Sequence, residues 1–236
     1  MSKLSVPAVL ALTVVSINAN ADSLGLYIGG GVWDHDPVGS FGTVGDSVIN
    51  VESDLSYSGE TDSYFYAAFE HFVPLVPNLR IEAASMGHTG TAGNFTFNGQ
   101  AVSGNSSINL DSTDTIAYWR LLDNWVNLDW GINLRKLDGD FTIGSQSVTV
   151  AETVPMLYLA AQFDMPFTGL SVGADVNRIS LSDVSYQDIR FRALYEMGVI
   201  GFEAGIRSTT LELKNVDTVN ADLEFKGVML GAYLHF

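Results

Sequence analysis

The chain has 236 residues, with 11 Lys+Arg against 27 Asp+Glu, a formal net charge of −16, and 47% hydrophobic residues. Such acidity excludes nucleic acid as a partner, because phosphate backbones are bound by clustered cations. Cysteine is absent, which excludes a disulfide framework, thiol chemistry and cysteine-ligated zinc.

In chain order, Lys3 precedes an apolar run from Val6 to Ile17, and Ala19-Asn20-Ala21 offers a small-residue cleavage site before Asp22. This pattern predicts a signal peptide over 1–21 and a single mature domain over 22–236. Without Lys3 the mature part carries 10 Lys+Arg and all 27 acids, a net charge of −17. Mean hydropathy is nevertheless +0.19. That combination fits strands that turn one face to lipid while acids collect in loops. No later run approaches the roughly 18–20 apolar residues of a spanning helix.

Side chains alternate across a strand with period two. On that criterion strands are expected at about 24–34, 62–72, 79–90, 106–122, 125–138, 153–164, 169–182, 184–196, 199–214 and 222–236. One face is apolar throughout. It reads Leu24, Leu26, Ile28 in the first segment and Phe65, Ala67, Phe69 in the second. It continues as Val126, Leu128, Trp130, Ile132, Leu134 in the fifth and Ile200, Phe202, Ala204, Ile206 in the ninth. Most segments exceed the roughly 9–11 residues that cross a membrane when tilted. Tight connections (73–78, 123–124, 165–168, 197–198) alternate with longer polar stretches (35–61, 91–105, 139–152). The expectation is a closed antiparallel transmembrane β-barrel of ten strands, with eight or twelve as alternatives. A secreted β-sandwich would explain the alternation alone. The leader and the aromatic terminal strand favour the barrel.

The chain closes on Met229-Leu-Gly-Ala-Tyr-Leu-His-Phe236, with Phe236 and Leu234 on one face and Gly231 on the other. This ending resembles the signal by which barrel-assembly machinery recognises bacterial outer-membrane barrels for insertion. Further pieces are Leu26-Tyr-Ile-Gly-Gly-Gly-Val-Trp33, Glu70-His-Phe-Val-Pro-Leu-Val-Pro-Asn-Leu-Arg80, Leu121-Leu-Asp-Asn-Trp-Val-Asn-Leu-Asp-Trp-Gly131 and Arg135-Lys-Leu-Asp-Gly139. Together they resemble a family of small bacterial outer-membrane proteins with a Gly-Gly element in the first strand, loosely grouped with OmpW-like barrels. Phe72 stands where proline is expected. The resemblance implies a porin-like barrel in the outer membrane, with membrane lipid and lipopolysaccharide as partners. It implies no established activity and no cofactor.

The inward face carries acids (Glu70, Glu82, Asp129, Asp175, Asp188, Glu196, Glu203) and arginines (Arg80, Arg120, Arg135, Arg190, Arg192, Arg207). Arginine forms bidentate pairs with carboxylates that lysine cannot match. An ion-pair network of Asp175, Asp188, Arg190, Arg192, Glu203 and Arg207, with Arg120 and Asp129, is therefore expected to fill the lumen. A two-residue turn at Met197-Gly198 opposes Arg192 to Glu203 and Asp188 to Arg207. A turn at Ser182-Asp183 opposes Asp175 to Arg190, and one at Asp123-Asn124 opposes Trp119 to Leu128 and Arg120 to Asn127. The functional expectation is a structural or surface-interaction barrel with a mostly occluded lumen.

Two other function classes compete. Tyr27, Trp33, Tyr64, Tyr66, Tyr118 and Tyr158 also face in, and an aromatic lumen can pass or hold a small apolar molecule. A rim hydrolase of the omptin type would need a histidine beside carboxylates, for which Asp34-His35-Asp36 and His88 are candidates. No metal-ligand spacing occurs.

Overall fold

The computed structural model describes residues 24–236, apart from 47, 74, 98, 217 and 218. The expected signal peptide lies outside the described residues. The described chain forms one antiparallel sheet of ten long strands and one two-residue strand. The long strands are β1 (Leu24–Thr43), β3 (Glu60–His71), β4 (Asn78–Phe97), β5 (Gln100–Leu122), β6 (Val126–Ile143), β7 (Gln146–Met165), β8 (Leu170–Leu181), β9 (Val184–Met197), β10 (Ile200–Val216) and β11 (Val219–His235). The short strand β2 is Ile49–Asn50. Each long strand pairs with its neighbour in sequence, and β11 returns to β1 from Tyr27↔His235 to Thr43↔Val219. The sheet thus closes into a barrel, and closure pairs the first and last strands with each other.

The outward face is an apolar belt. Phe65, Ile132, Phe191, Phe202, Ile206 and Leu230 are among the large apolar side chains exposed there. Higher on the same faces the belt gives way to Asp34, Asp36, Lys136, Asp138, Arg178 and Lys226, all exposed. The strands continue well above this boundary. The stretches 91–105 and 139–152, expected as loops, are instead the upper parts of β4, β5, β6 and β7. They end in tight hairpins at Phe97↔Gln100 and Ile143↔Gln146. Their polarity reflects water on the outer side of the wall, and Phe141 and Ile143 keep the period-two pattern on the inner side.

The connection from β1 to β3 does not form a hairpin. Above His35↔Glu60, β2 replaces β3 beside β1 through Phe41↔Ile49. Segment 48–59 then folds over the upper mouth. Ile49, Val51, Leu55 and Tyr57 are buried there against Phe41, Ala92, Val102 and Ile143. These partners come from β1, β4, β5 and β6, so the segment caps the lumen. The β3–β4 ladder stops at Tyr64↔Ala84. Just above it, the Asp62 carboxylate accepts the Gly87 backbone N–H at 2.7 Å and holds the two strands together.

Two hairpins differ from expectation by the same amount. β9 and β10 pair Met197 with Ile200, not Glu196 with Val199, so Arg192 stands opposite Gly205 and Arg207 opposite Arg190. β5 and β6 place Arg120 opposite Asp129 and Trp119 opposite Trp130. Both registers slip by two residues. A slip of two keeps every side chain on its assigned face, whereas a slip of one would invert it. The β8–β9 hairpin pairs Asp175 with Arg190, in the expected register.

Candidate functional site: the charged lumen

The centre of the barrel is a network of five arginines and five carboxylates. At one end Arg135 donates to both Asp114 oxygens at 2.6 Å and reaches Asp188 at 2.9 Å. Arg207 holds Asp188 at 2.6 Å. Glu82 receives Arg190 at 2.6 and 2.7 Å and Arg80 at 2.9 Å, with Arg207 4.0 Å away. Arg190 also donates to Asp175 at 2.7 Å. Arg192 links Asp175 at 2.9 Å to Glu203 at 3.1 Å, and the Tyr64 hydroxyl donates to Glu203 at 2.7 Å. Glu82, Asp175, Asp188, Arg135 and Arg190 are all at most 1% exposed.

Elementary electrostatics explains why these groups occur together. An isolated buried ion costs several kcal/mol, which only good geometry and further hydrogen bonds offset. Five charges of each sign make the network neutral, and bidentate or shared contacts occupy most of its donors. Alternation on β4, β5, β6, β8, β9 and β10 points these side chains into the lumen. The slip in the β9–β10 register makes Arg192–Glu203 and Arg207–Asp188 diagonal pairs, which long side chains span.

Arg120 and Asp129 meet at 3.4 Å, but apart from this network. They form a second group with Glu70 at 2.7 Å and Asp123 at 3.3 Å, next to the lower turns. The Tyr118 hydroxyl donates to Glu70 at 2.7 Å. Among the described residues no ion pair joins the two groups, so these two candidates belong to a local clamp. Sequence reasoning omitted Asp114, although it shares parity with inward Ile116 and Tyr118. It named Glu82, Arg80 and Arg135 as inward but left them out of the network, because strands far apart in sequence give no register to one another.

Aromatic side chains fill the remaining volume. The Arg207 guanidinium lies over the Trp33 ring at 4.7 Å, and that of Arg80 over Tyr66 at 4.1 Å. A cavity of about 10 Å³ beside Trp33, Tyr186, Arg207 and Thr209 has about the room of one water molecule. Among the described residues, Trp33 Nε1, Arg207 Nη1 and Thr209 Oγ1 have no hydrogen-bond partner.

At the closing seam, Gly31 stands opposite Gly231. Gly231 lies under the Tyr64 hydroxyl, and a Cβ there would come within 2.7 Å of Gly30 O and 3.1 Å of Glu203 Oε1. The other terminal residues, Leu234 and Phe236, remain on the outer surface. The backbone of Phe236 pairs with Leu26 at 2.9 and 3.0 Å, which ties the end of the chain into the wall.

The candidate histidines meet above the belt. His88 Nε2 and His35 Nδ1 are 3.0 Å apart, and His35 Nε2 lies 3.3 Å from Asp62. Both residues are 1% exposed, beneath the cap. Asp34 and Asp36, their expected carboxylate partners, are exposed on the outer face.

No family model and no curated protein matches the chain. Solved structures of outer-membrane proteins resemble the chain at low identity. The outer-membrane protease OmpT of Escherichia coli is 10% identical, over 92% of this chain and 97% of that one, with a TM-score of 0.49. The attachment invasion locus protein Ail of Yersinia pestis is 10% identical over 91% and 99%, with a TM-score of 0.35. A FadL homologue of Pseudomonas aeruginosa is 8% identical over 91% and 90%, with a TM-score of 0.37.

Proposed function

We propose that this chain is an integral protein of the bacterial outer membrane whose lumen is closed, and that it serves a structural or surface-interaction role. The neutral, buried network of arginines and carboxylates carries the reading. It fills the barrel at the level of the apolar belt, and the cap closes the mouth above it. The belt, the leader expected over 1–21 and the aromatic closing strand support the location. So does the resemblance to small Gly-Gly barrels loosely grouped with OmpW-like proteins. Outer-membrane lipid and lipopolysaccharide are the partners this reading supplies, with the assembly machinery acting during insertion. The rim-hydrolase alternative draws no support from His35 and His88, because burial keeps both rings from a substrate.

Conductance of purified protein in a planar bilayer tests the proposal. Wild-type protein is expected to give little or no steady current. Replacing Arg192 and Arg207 together with Ala is expected to raise it and to favour cations. Large, stable wild-type channels at neutral pH would overturn the closed lumen and support a pathway for small solutes or apolar molecules.

A further inference from the structure

The upper mouth contains a hydrogen-bond chain that the charged network does not use. Ser58 O can only accept, so His88 Nδ1 donates to it, at 2.9 Å. In a neutral ring His88 Nε2 is then an acceptor, and His35 Nδ1 supplies the hydrogen across 3.0 Å. A neutral His35 is left with a bare Nε2 facing the Asp62 carboxylate at 3.3 Å, and among the described residues that nitrogen has no hydrogen-bond partner. Two neutral imidazoles thus offer two hydrogens for three contacts. One added proton on His35 Nε2 completes the chain and places a cation beside Asp62. A second can enter only at His88 Nε2, where it would point at the hydrogen already on His35 Nδ1.

We propose that His35 and His88 form a proton-operated latch on segment 48–59. The closed cap accepts one proton at His35 Nε2, and a second at His88 Nε2 parts the two rings and frees the cap.

The surroundings fit a latch that fails in acid. The charged groups facing the pair are Asp62 and Glu60 from β3, Asp36 from β1 and Arg207 from β10. Trp33, Tyr57 and Phe225 pack against the rings at 4.1 to 6.4 Å. Burial holds both imidazoles below their ordinary value. For His35 the neighbouring His88 and Arg207 add to the depression and Asp62 opposes it. For His88 the Ser58 carbonyl, Asp62, Glu60 and Asp36 oppose it. The closed cap therefore binds fewer protons than the open one below the ordinary imidazole range. Its stability is full above that range and is lost as pH falls through the depressed values.

The His88 bond to Ser58 fastens the cap next to Tyr57, whose hydroxyl contacts Ser106 Oγ at 2.7 Å. Cap release would expose Trp33 and Phe225 while leaving the network below in place.

The test uses the full chain in lipid nanodiscs, with imidazole nitrogen NMR and amide hydrogen exchange between about pH 7.5 and about pH 3, which runs from the ordinary imidazole range through the depressed values. The Leu55 and Tyr57 amides, bonded to Asn50 O and Val51 O, report the cap. After correction for intrinsic exchange, their protection is expected to fall roughly tenfold or more, together with double protonation of the His35–His88 pair. In His88→Gln the side-chain amide can serve both the Ser58 oxygen and the His35 hydrogen but cannot titrate, so the cap should stay protected at acid pH. Should that variant be open at neutral pH, the wild-type titration decides. Unchanged wild-type protection, cap release at a pH where His88 stays neutral, or acid release in a closed His88→Gln protein would each overturn the latch.

Discussion

Arg190 and Arg207 stand directly opposite one another across the β9–β10 ladder, both pointing into the lumen. Like charges so placed repel. They coexist because Glu82 reaches in from β4 to Arg190 at 2.6 Å, and Asp188 takes Arg207 at 2.6 Å. Each arginine is held by a carboxylate outside the opposed pair.

Glu82→Gln should therefore be the most damaging single neutralisation in the lumen. It leaves Arg80 and Arg190 short of their shared anion at full burial. Removing one partner of a buried pair costs about 3–5 kcal/mol. Urea unfolding in lipid vesicles should show a larger loss for this variant than for Asp123→Asn, whose carboxylate is 73% exposed. Equal losses would remove Glu82 from the centre of the network.

The belt boundary can be located by single arginines on one outward column. Ile132→Arg, in the belt, should impair insertion by about 2–4 kcal/mol, the cost of a lipid-facing cation near the midplane. Thr113→Arg, outward beside Lys136 and above the belt, should be tolerated. Heat-modifiable mobility on gels separates folded from unfolded protein for both.

Gly231→Ala should push on the Tyr64 hydroxyl and on Gly30 O, loosening the Tyr64–Glu203 bond. Overpacking of this kind typically costs about 1–3 kcal/mol. Tyr64→Phe removes the crowded oxygen, so the double variant should be more stable than the sum of the single losses predicts. Strict additivity would show that the two positions do not meet.

Leu55→Asp should free the cap without opening the barrel. Leu55 is fully buried, and a carboxylate in its place has no counter-charge in the apolar cluster around it. Proteolysis within 48–59 should accelerate, while single-channel recordings should stay silent because the network lies below. A current in this variant would make the cap the principal barrier.

Much of the architecture was legible because period-two alternation is a local signal. Leu26, Ile132 and Phe202 declare their face through their neighbours alone. Register was less legible: a two-residue turn at Gly198-Val199 and one at Met197-Gly198 give the same facing with different partners. The wall above the belt was hidden for another reason. With water on its outer side, residues such as Ser107, Thr142 and Ser147 look like loop, although they sit in paired strands. The stretch 35–61 read as a long polar connection, since the apolar residues of 48–59 are few and irregularly spaced. The meeting of His35 with His88 depended on the folding-over of that stretch and on β4 lying across β3 from β1.

The Arg190–Glu82 contact joins residues 108 positions apart in the chain. The contact between them cannot form until β4 and β9 face one another across the same closed ring, which the seam between β1 and β11 completes. A half-assembled sheet would otherwise hold five arginines and five acids against lipid. The interior must therefore stay hydrated during assembly and dry only as the seam zips. Loss of water from the lumen would then be the final, committing event of biogenesis, and a variant lacking one carboxylate would stall there, inserted but still wet.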